Sequence, residues 1–212
     1  MTASRGRTGR PPLTEERRAE IRLEIARAAV DLFVAQGVTA TTGEQIGERA
    51  GVSARTVWRY FPSKESCVRP LFSEGIDMIA ALLRAWLPGQ PLEELFDGEF
   101  GHGHGPAGPF DRATIGDLVR LTRTEPGLRA VWLQTYDEAE PVFARALAER
   151  AGLPADDFRP TLRAAMLNAA LRAAVEHHAW HPTATPGDPA TEEAELAGTL
   201  RLALAVAAEG LR

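Results

Sequence analysis

TTGEQIGERAGVSARTVWRYFPSKESC, residues 41–67, spells two short helices separated by a tight turn and followed at once by a third helix start. Thr41 stands three residues before Glu44, the spacing of a capping box, in which a hydroxyl takes an amide of the first turn and a carboxylate reaches back. A helix is therefore expected through Gln45, Ile46, Gly47, Glu48, Arg49 and Ala50. Gly51 then supplies the left-handed conformation that ends a helix without a Cβ penalty. Val52 follows as an apolar plug. Ser53 suits the N-cap of a second helix, Ala54 to Phe61, which Pro62 ends, and Ser63 suits the N-cap of a third.

Two helices about four residues apart make a helix-turn-helix, whose second helix lies in the major groove of DNA while the first crosses the backbone. Ile46, Ala50, Val52, Val57 and Phe61 can face one another as a small core, with Gly47 where the two helices approach. Ala54, Arg55, Thr56, Trp58, Arg59 and Tyr60 are left to look outward. Arginine binds guanine edges bidentately, and threonine and tyrosine hydroxyls suit phosphates.

The stretch resembles the signature of the tetracycline-repressor (TetR) family of transcriptional regulators. That family's pattern is an Ile-Ala-x-x-Ala-Gly-Val-Ser turn, a Thr-Leu-Tyr-x-Tyr-Phe recognition helix and a Ser-Lys-Glu opening of the fourth helix. Here the corresponding segments read IGERAGVS, TVWRYF and SKE. Gly47 for alanine and Val57 for leucine keep the packing role, whereas Trp58 exchanges a hydroxyl for an indole N–H. The resemblance implies an all-α fold in three parts: an arginine-containing arm (1–13), a three-helix DNA-binding domain (14–62), and a helical effector-binding and dimerisation domain (63–212). It also implies that Arg55, Thr56, Trp58 and Arg59 line or read the groove while Thr42, Tyr60 and Lys64 hold phosphates. The partners it implies are a double-stranded, pseudo-palindromic operator, a second copy of the chain, and a small apolar or aromatic effector that releases the DNA. A dimer without an effector is the alternative.

Length and composition bound the rest. The chain has 212 residues, 44% of them hydrophobic, enough for a buried core. Its one cysteine, Cys67, excludes an intramolecular disulfide, and no apolar run approaches the roughly 18 residues of a membrane span. The N-terminal arginines are followed by no apolar stretch, so no signal peptide and a cytoplasmic protein are expected. The net charge of −5 divides unevenly. Residues 1–67 carry 11 Arg and Lys against 8 Asp and Glu, a balance of +3, and the remainder carries −8. That asymmetry directs the N-terminal part at nucleic acid. Arg5, Arg7 and Arg10 lie in a Gly- and Pro-containing leader suited to a phosphate backbone or the minor groove.

A long helix from Thr14 to Gly37 carries Ile21, Ile25, Ala28, Ala29, Leu32 and Phe33 on one face, which covers the back of the helix-turn-helix. After Ser63 a fourth helix is expected towards Trp86, with a kink or a fresh start near Arg69 and Pro70. A short piece from Leu92 to Phe96 precedes a Gly/Pro-rich loop, 97–109. Further helices are expected over 110–124, 127–151, 156–180 and 191–211. Trp86, Leu118, Leu121, Trp132, Tyr136, Phe143 and Met166 are candidate walls of an effector cavity, with Gln134 and Asn168 as polar orienters. Leu162, Ala165, Ala169 and Ala173, with Leu200 and Leu204 of the last helix, resemble the family's four-helix dimer seam. His102, His104, His177, His178 and His181 lack the four preorganised ligands of a structural zinc site, so neither metal nor cofactor is expected. No Gly-rich phosphate loop, nucleophile elbow or His-Glu-x-x-His helix points to an enzyme.

Overall fold

The computed structural model describes residues 14–86, 90–92, 94, 112–154, 156–181 and 189–209. The arm with Arg5, Arg7 and Arg10, the loop at 97–109 with His102 and His104, and most of the piece after Leu92 lie outside the described residues. Among those described, every regular element is helical: α1 (Glu15–Gln36), α2 (Gly43–Arg49), α3 (Ala54–Tyr60), a 3₁₀ turn (Glu65–Val68), α4 (Arg69–Ala85), α5 (Arg112–Leu121), α6 (Pro126–Ala151), α7 (Phe158–Trp180) and α8 (Pro189–Glu209).

The ends of these helices follow from local chemistry. Thr14 accepts the Arg17 amide at 3.3 Å to start α1, and Gly37, at φ +84°, ends it by donating to the Phe33 carbonyl at 2.9 Å. The capping box of α2 lies one residue later than the sequence suggests. Thr42 Oγ1 accepts from the Gln45 amide (3.3 Å) while Gln45 Oε1 accepts from the Thr42 amide (2.9 Å). Thr41 is instead buried and donates to the Gly37 carbonyl at 2.8 Å, closing the α1–α2 connection. Either threonine satisfies the spacing rule; the side chain with a place in the connection is drawn into it.

Gly51, at φ +68°, makes the turn, and Gly47 makes the close approach: a Cβ there would stand 2.8 Å from the Val52 carbonyl oxygen. Ser53 caps α3 through the Thr56 amide at 3.2 Å. Ile46 and Val57 are fully buried, Phe61 nearly so, and Ala50 and Val52 pack against them.

Between α3 and α4 the chain does not form one rod. Ser63 Oγ accepts the Ser66 amide at 3.2 Å to close the 3₁₀ turn, and α4 begins anew at Arg69 with Pro70 in its first turn. There the missing N–H leaves no intrahelical bond broken. Val68, Leu71, Phe72, Ile76, Ile79 and Leu83 form the expected stripe and are buried. It packs on α6; α7 lies against both α6 and α8, and α5 packs on α7 and α1. Buried apolar side chains form one cluster from Ile21 to Leu204. None of the described helices is long and apolar enough to cross a membrane.

Candidate nucleic-acid interface and effector cavities

The outer face of α3 presents Arg55, Trp58 and Arg59 to solvent, with Thr56 and Tyr60 half-buried at its edges. Arg17, Arg18 and Arg49 nearby are in ion pairs with Glu20, Glu15 and Asp31. Arg55 and Arg59 form none among the described residues, so their charge is uncompensated where the second helix of the motif meets DNA. Tyr60 is flanked by two guanidinium groups, Arg59 at 4.9 Å and Arg22 at 5.7 Å from its ring centre. Thr42 uses its oxygen as an acceptor for the helix cap, leaving its O–H to donate outward.

Trp58 is 44% exposed, and its benzo ring covers the first residue of α2. A Cβ on Gly43 would fall 2.0 Å from Trp58 Cζ2 and 2.5 Å from Cε2.

Lys64 departs from the role its resemblance implies. Its ammonium donates to the carbonyls of Val38 (2.5 Å), Thr41 (3.1 Å) and Thr39 (3.3 Å), clamping the α1–α2 connection. An ammonium has three N–H bonds, enough for these three carbonyls. Cys67 is fully buried, and desolvation pushes its thiol up to about 12, which leaves it an unreactive core side chain.

The cavity residues expected from sequence separate into three places. Trp132 and Tyr136 wall a narrow apolar cavity of about 80 Å³ with Phe72, Ile76, Ile115 and Leu171. Their rings meet at steep angles, Phe72 tilted 59° on Trp132 at 4.7 Å and Trp132 edge-on to Tyr136 at 68° and 4.6 Å. Trp86 and Met166 line a second, larger groove of about 480 Å³ at the far ends of α4, α6, α7 and α8, with Leu147, Arg150, Arg159 and Arg163. Gln134 is exposed and borders a third cleft between α1, the end of α3, and α4. It cannot orient a ligand in the centre, because on α6 the inward positions are 132, 135, 136, 139 and 143. Leu118 and Phe143 are fully buried in the core and Leu121 is half-buried; none of the three lines the cavity or the groove. Asn168 is buried, its Nδ2 donating to the Tyr136 carbonyl at 2.8 Å while Oδ1 has no partner among the described residues.

Sequence reasoning missed the polar centre of this half. Glu176 is buried on α7 and accepts from Arg129 (2.5 Å), Trp132 Nε1 (2.8 Å) and Arg172 (3.3 Å). Burial acts to raise its pKa, but the hydrogen bonds from Arg129 and Trp132, with the charges of Arg129 and Arg172, outweigh that and hold the carboxyl below its ordinary value. Burial, reinforced by Glu176, pushes the Tyr136 phenol up, so it stays a neutral hydroxyl. Only the i,i+4 spacing of Arg172 and Glu176 hinted at this cluster. His177 and His181 stack with ring centres 4.7 Å apart. Among the described residues, no three potential metal ligands of the His, Cys, Asp or Glu type converge.

On the α7–α8 face the sequence reading needs correction. Leu200 and Leu204 are buried inside the chain, at 3% and 0% exposure, and cannot meet a partner. The solvent-facing apolar residues of α8 are Leu202 and Val206, at 66% and 60%. On α7, Leu162, Met166, Ala169 and Ala173 share the exposed face, with Ala165 half-buried at its margin. In α8 the chain's own core takes the leucine-rich stripe, and a face rotated from it is left outside.

Residues 25–71 match the family model described as bacterial regulatory proteins, tetR family, and residues 106–212 match the MftR C-terminal domain. The chain is 32% identical over 169 residues to the HTH-type transcriptional regulator TcmR of Streptomyces glaucescens, covering 75% of this chain and 73% of that one. MftR of Mycobacterium tuberculosis is 29% identical over 165 residues, covering 76% and 81%. Among solved structures, FadR of Thermus thermophilus, a TetR-family repressor in complex with lauroyl-CoA, superposes with a TM-score of 0.51 at 26% identity, covering 90% of this chain and 95% of that one.

Proposed function

Because the chain belongs to the TetR family of bacterial DNA-binding transcriptional regulators, we propose that it is a cytoplasmic repressor: a homodimer on a pseudo-palindromic operator, released by a small molecule with an apolar body and an anionic head. Arg55, Thr56, Trp58 and Arg59 meet the groove, and Thr42 and Tyr60 hold phosphates. Lys64 acts one step back, by fixing the loop that carries Thr42. A recognition helix of 7 residues contacts few base pairs, so a second copy about 34 Å away is needed for useful specificity. The exposed apolar face of α7 and α8 is where the copies meet.

The observation that carries the effector reading is the groove beside Trp86. Its volume of about 480 Å³ and that of the cleft beside Gln134, about 710 Å³, lie in the range of small-molecule sites, roughly 300–1,000 Å³, whereas the central cavity at about 80 Å³ falls below it; the Gln134 cleft is lined by the carboxylates of Glu74 and Asp77. The groove's floor is Trp86, Leu147, Met166 and Leu167, and its charged lining residues are Arg150, which lies over the Trp86 ring, Arg159, which pairs with Asp157, and Arg163. An apolar tail fits such a floor, with an anion against Arg163. The lauroyl-CoA complex of the Thermus relative supports an effector of this class.

The test is operator release in a gel shift. A long-chain acyl-CoA is expected to release the DNA, while coenzyme A alone and the corresponding long-chain alcohol release it poorly. Arg163→Ala should blunt the response without changing operator affinity. Equal release by the alcohol removes the anionic head from the account, and no release by any amphiphile favours a DNA-binding dimer without this effector.

A further inference from the structure

Gly43 is not a glycine for the sake of its backbone. The positive-φ residues among those described are Gly37, Gly51 and Gly152, so Gly43, in the first turn of α2, adopts a conformation open to any residue. Alanine would be the better helix former there. What Gly43 provides is room: an added Cβ would lie 2.0 Å from Cζ2, 2.5 Å from Cε2 and 2.9 Å from Cη2 of Trp58, distances no real contact allows. On their inner sides α2 and α3 are joined through Ile46, Val57 and the close approach at Gly47. On the outer side, the side facing DNA, the join is the indole of Trp58 seated on Gly43.

We propose that Gly43 is a DNA-binding determinant that acts through Trp58, as the seat that fixes the indole on the DNA-facing surface. The inference rests on the DNA-binding reading above and deepens it by adding a residue that touches no DNA. Trp58 stands one turn after Arg55 and next to Arg59, and its Nε1 has no partner among the described residues. With the ring seated, its exposed part is a fixed feature of the recognition surface. With the seat filled, the indole swings outward, into the space the DNA must occupy.

A double-mutant cycle tests this, using a duplex enriched from a random-sequence library by the unaltered protein. Operator affinity and thermal unfolding are measured for the wild type, Gly43→Ala, Trp58→Ala and the double variant. Gly43→Ala is expected to lower affinity about tenfold or more when Trp58 is present, and by less than about twofold when it is absent. Its melting temperature should not fall in parallel, since alanine favours the helix. Trp58→Ala alone adds no atoms and should lower affinity while leaving the protein folded. An equal loss in both backgrounds, no loss on Gly43→Ala, or full affinity in Trp58→Ala overturns the proposal. Failure of the wild type to enrich any duplex overturns the DNA-binding reading itself, and the proposal with it.

Discussion

The Lys64 ammonium ties the end of α1 to the start of α2. Three carbonyls of the α1–α2 connection converge on its ammonium, and two of them, on Val38 and Thr41, belong to buried residues. Removing the ammonium leaves these acceptors unmatched, at a cost of about 1–3 kcal/mol. Lys64→Ala is therefore expected to lower the midpoint of urea unfolding, with weaker DNA binding as a consequence. Arg55→Ala and Arg59→Ala should leave stability unchanged and cost about 1–3 kcal/mol of base discrimination. Unfolding curves and competition binding on the same three variants separate the roles; a Lys64→Ala protein of wild-type stability returns that residue to the phosphate. Glu176 gives the second prediction. Its folded carboxyl is held below the ordinary value, so the stability it contributes is complete above the unfolded Glu pKa of about 4.3 and is lost as pH falls through the folded one. Glu176→Gln should melt lower than wild type at neutral pH, and the gap should narrow on acidification below about pH 4.5. A gap that is constant with pH rules the carboxylate out as the cause. The Ser53 cap, the glycine turn and the outward arginines obey local rules and could be read directly from residues 41–67, whereas the α2 cap reads one residue early because Thr41 and Thr42 both meet the spacing. The Glu176 cluster could not, since Arg129 and Trp132 lie more than forty residues from it and only the packing of α6 on α7 brings them together.

Helical periodicity tells which residues of an element share a face, but not which face the chain keeps for itself. For α4 the two agreed, because a single apolar stripe runs from Leu71 to Leu83 and its other side is polar. Pro70 was legible as a break, and its place in the first turn of α4 makes it a start rather than a kink. The α4 helix is thus separated from the recognition helix by the 3₁₀ turn at Glu65–Val68. That turn also packs against α6, where a Cβ on Gly127 would lie 2.8 Å from Glu65 Cγ, and Arg69 beside it pairs with Glu138. The 3₁₀ turn thus touches both α6 and α1, a connection between the two halves that does not run along α4. In α8 two apolar faces compete, and the sequence offered no means to rank them. The Leu200 and Leu204 face is internal, and the Leu202 and Val206 face is external. Leu202→Glu should give a folded monomer, whereas Leu204→Glu should unfold the chain. Sedimentation with circular dichroism distinguishes the two outcomes; a folded, dimeric Leu202→Glu protein moves the interface off this face.

Across the whole molecule, charge, shape and symmetry serve one task. The overall negative charge opposes non-specific attraction to nucleic acid, so in the proposed complex binding would depend on Arg55 and Arg59 being correctly placed. Placement is set locally by the Gly47 approach, the Lys64 clamp and the Gly43 seat, and globally by the distance between two copies. In the proposed dimer, joined through α7 and α8, the two recognition helices would be held at a fixed separation, and an effector in the Trp86 groove would act on it because the groove borders the same two helices. A ligand preferring the released form by about 1–3 kcal/mol would lower operator affinity roughly 5–150-fold. Selection of bound duplexes from a random-sequence library, followed by sequencing, tests the account most directly. The expected result is an inverted repeat whose half-site centres are one helical turn apart, about 10 base pairs. Recovery of a single asymmetric site, or of no preferred sequence, would contradict it.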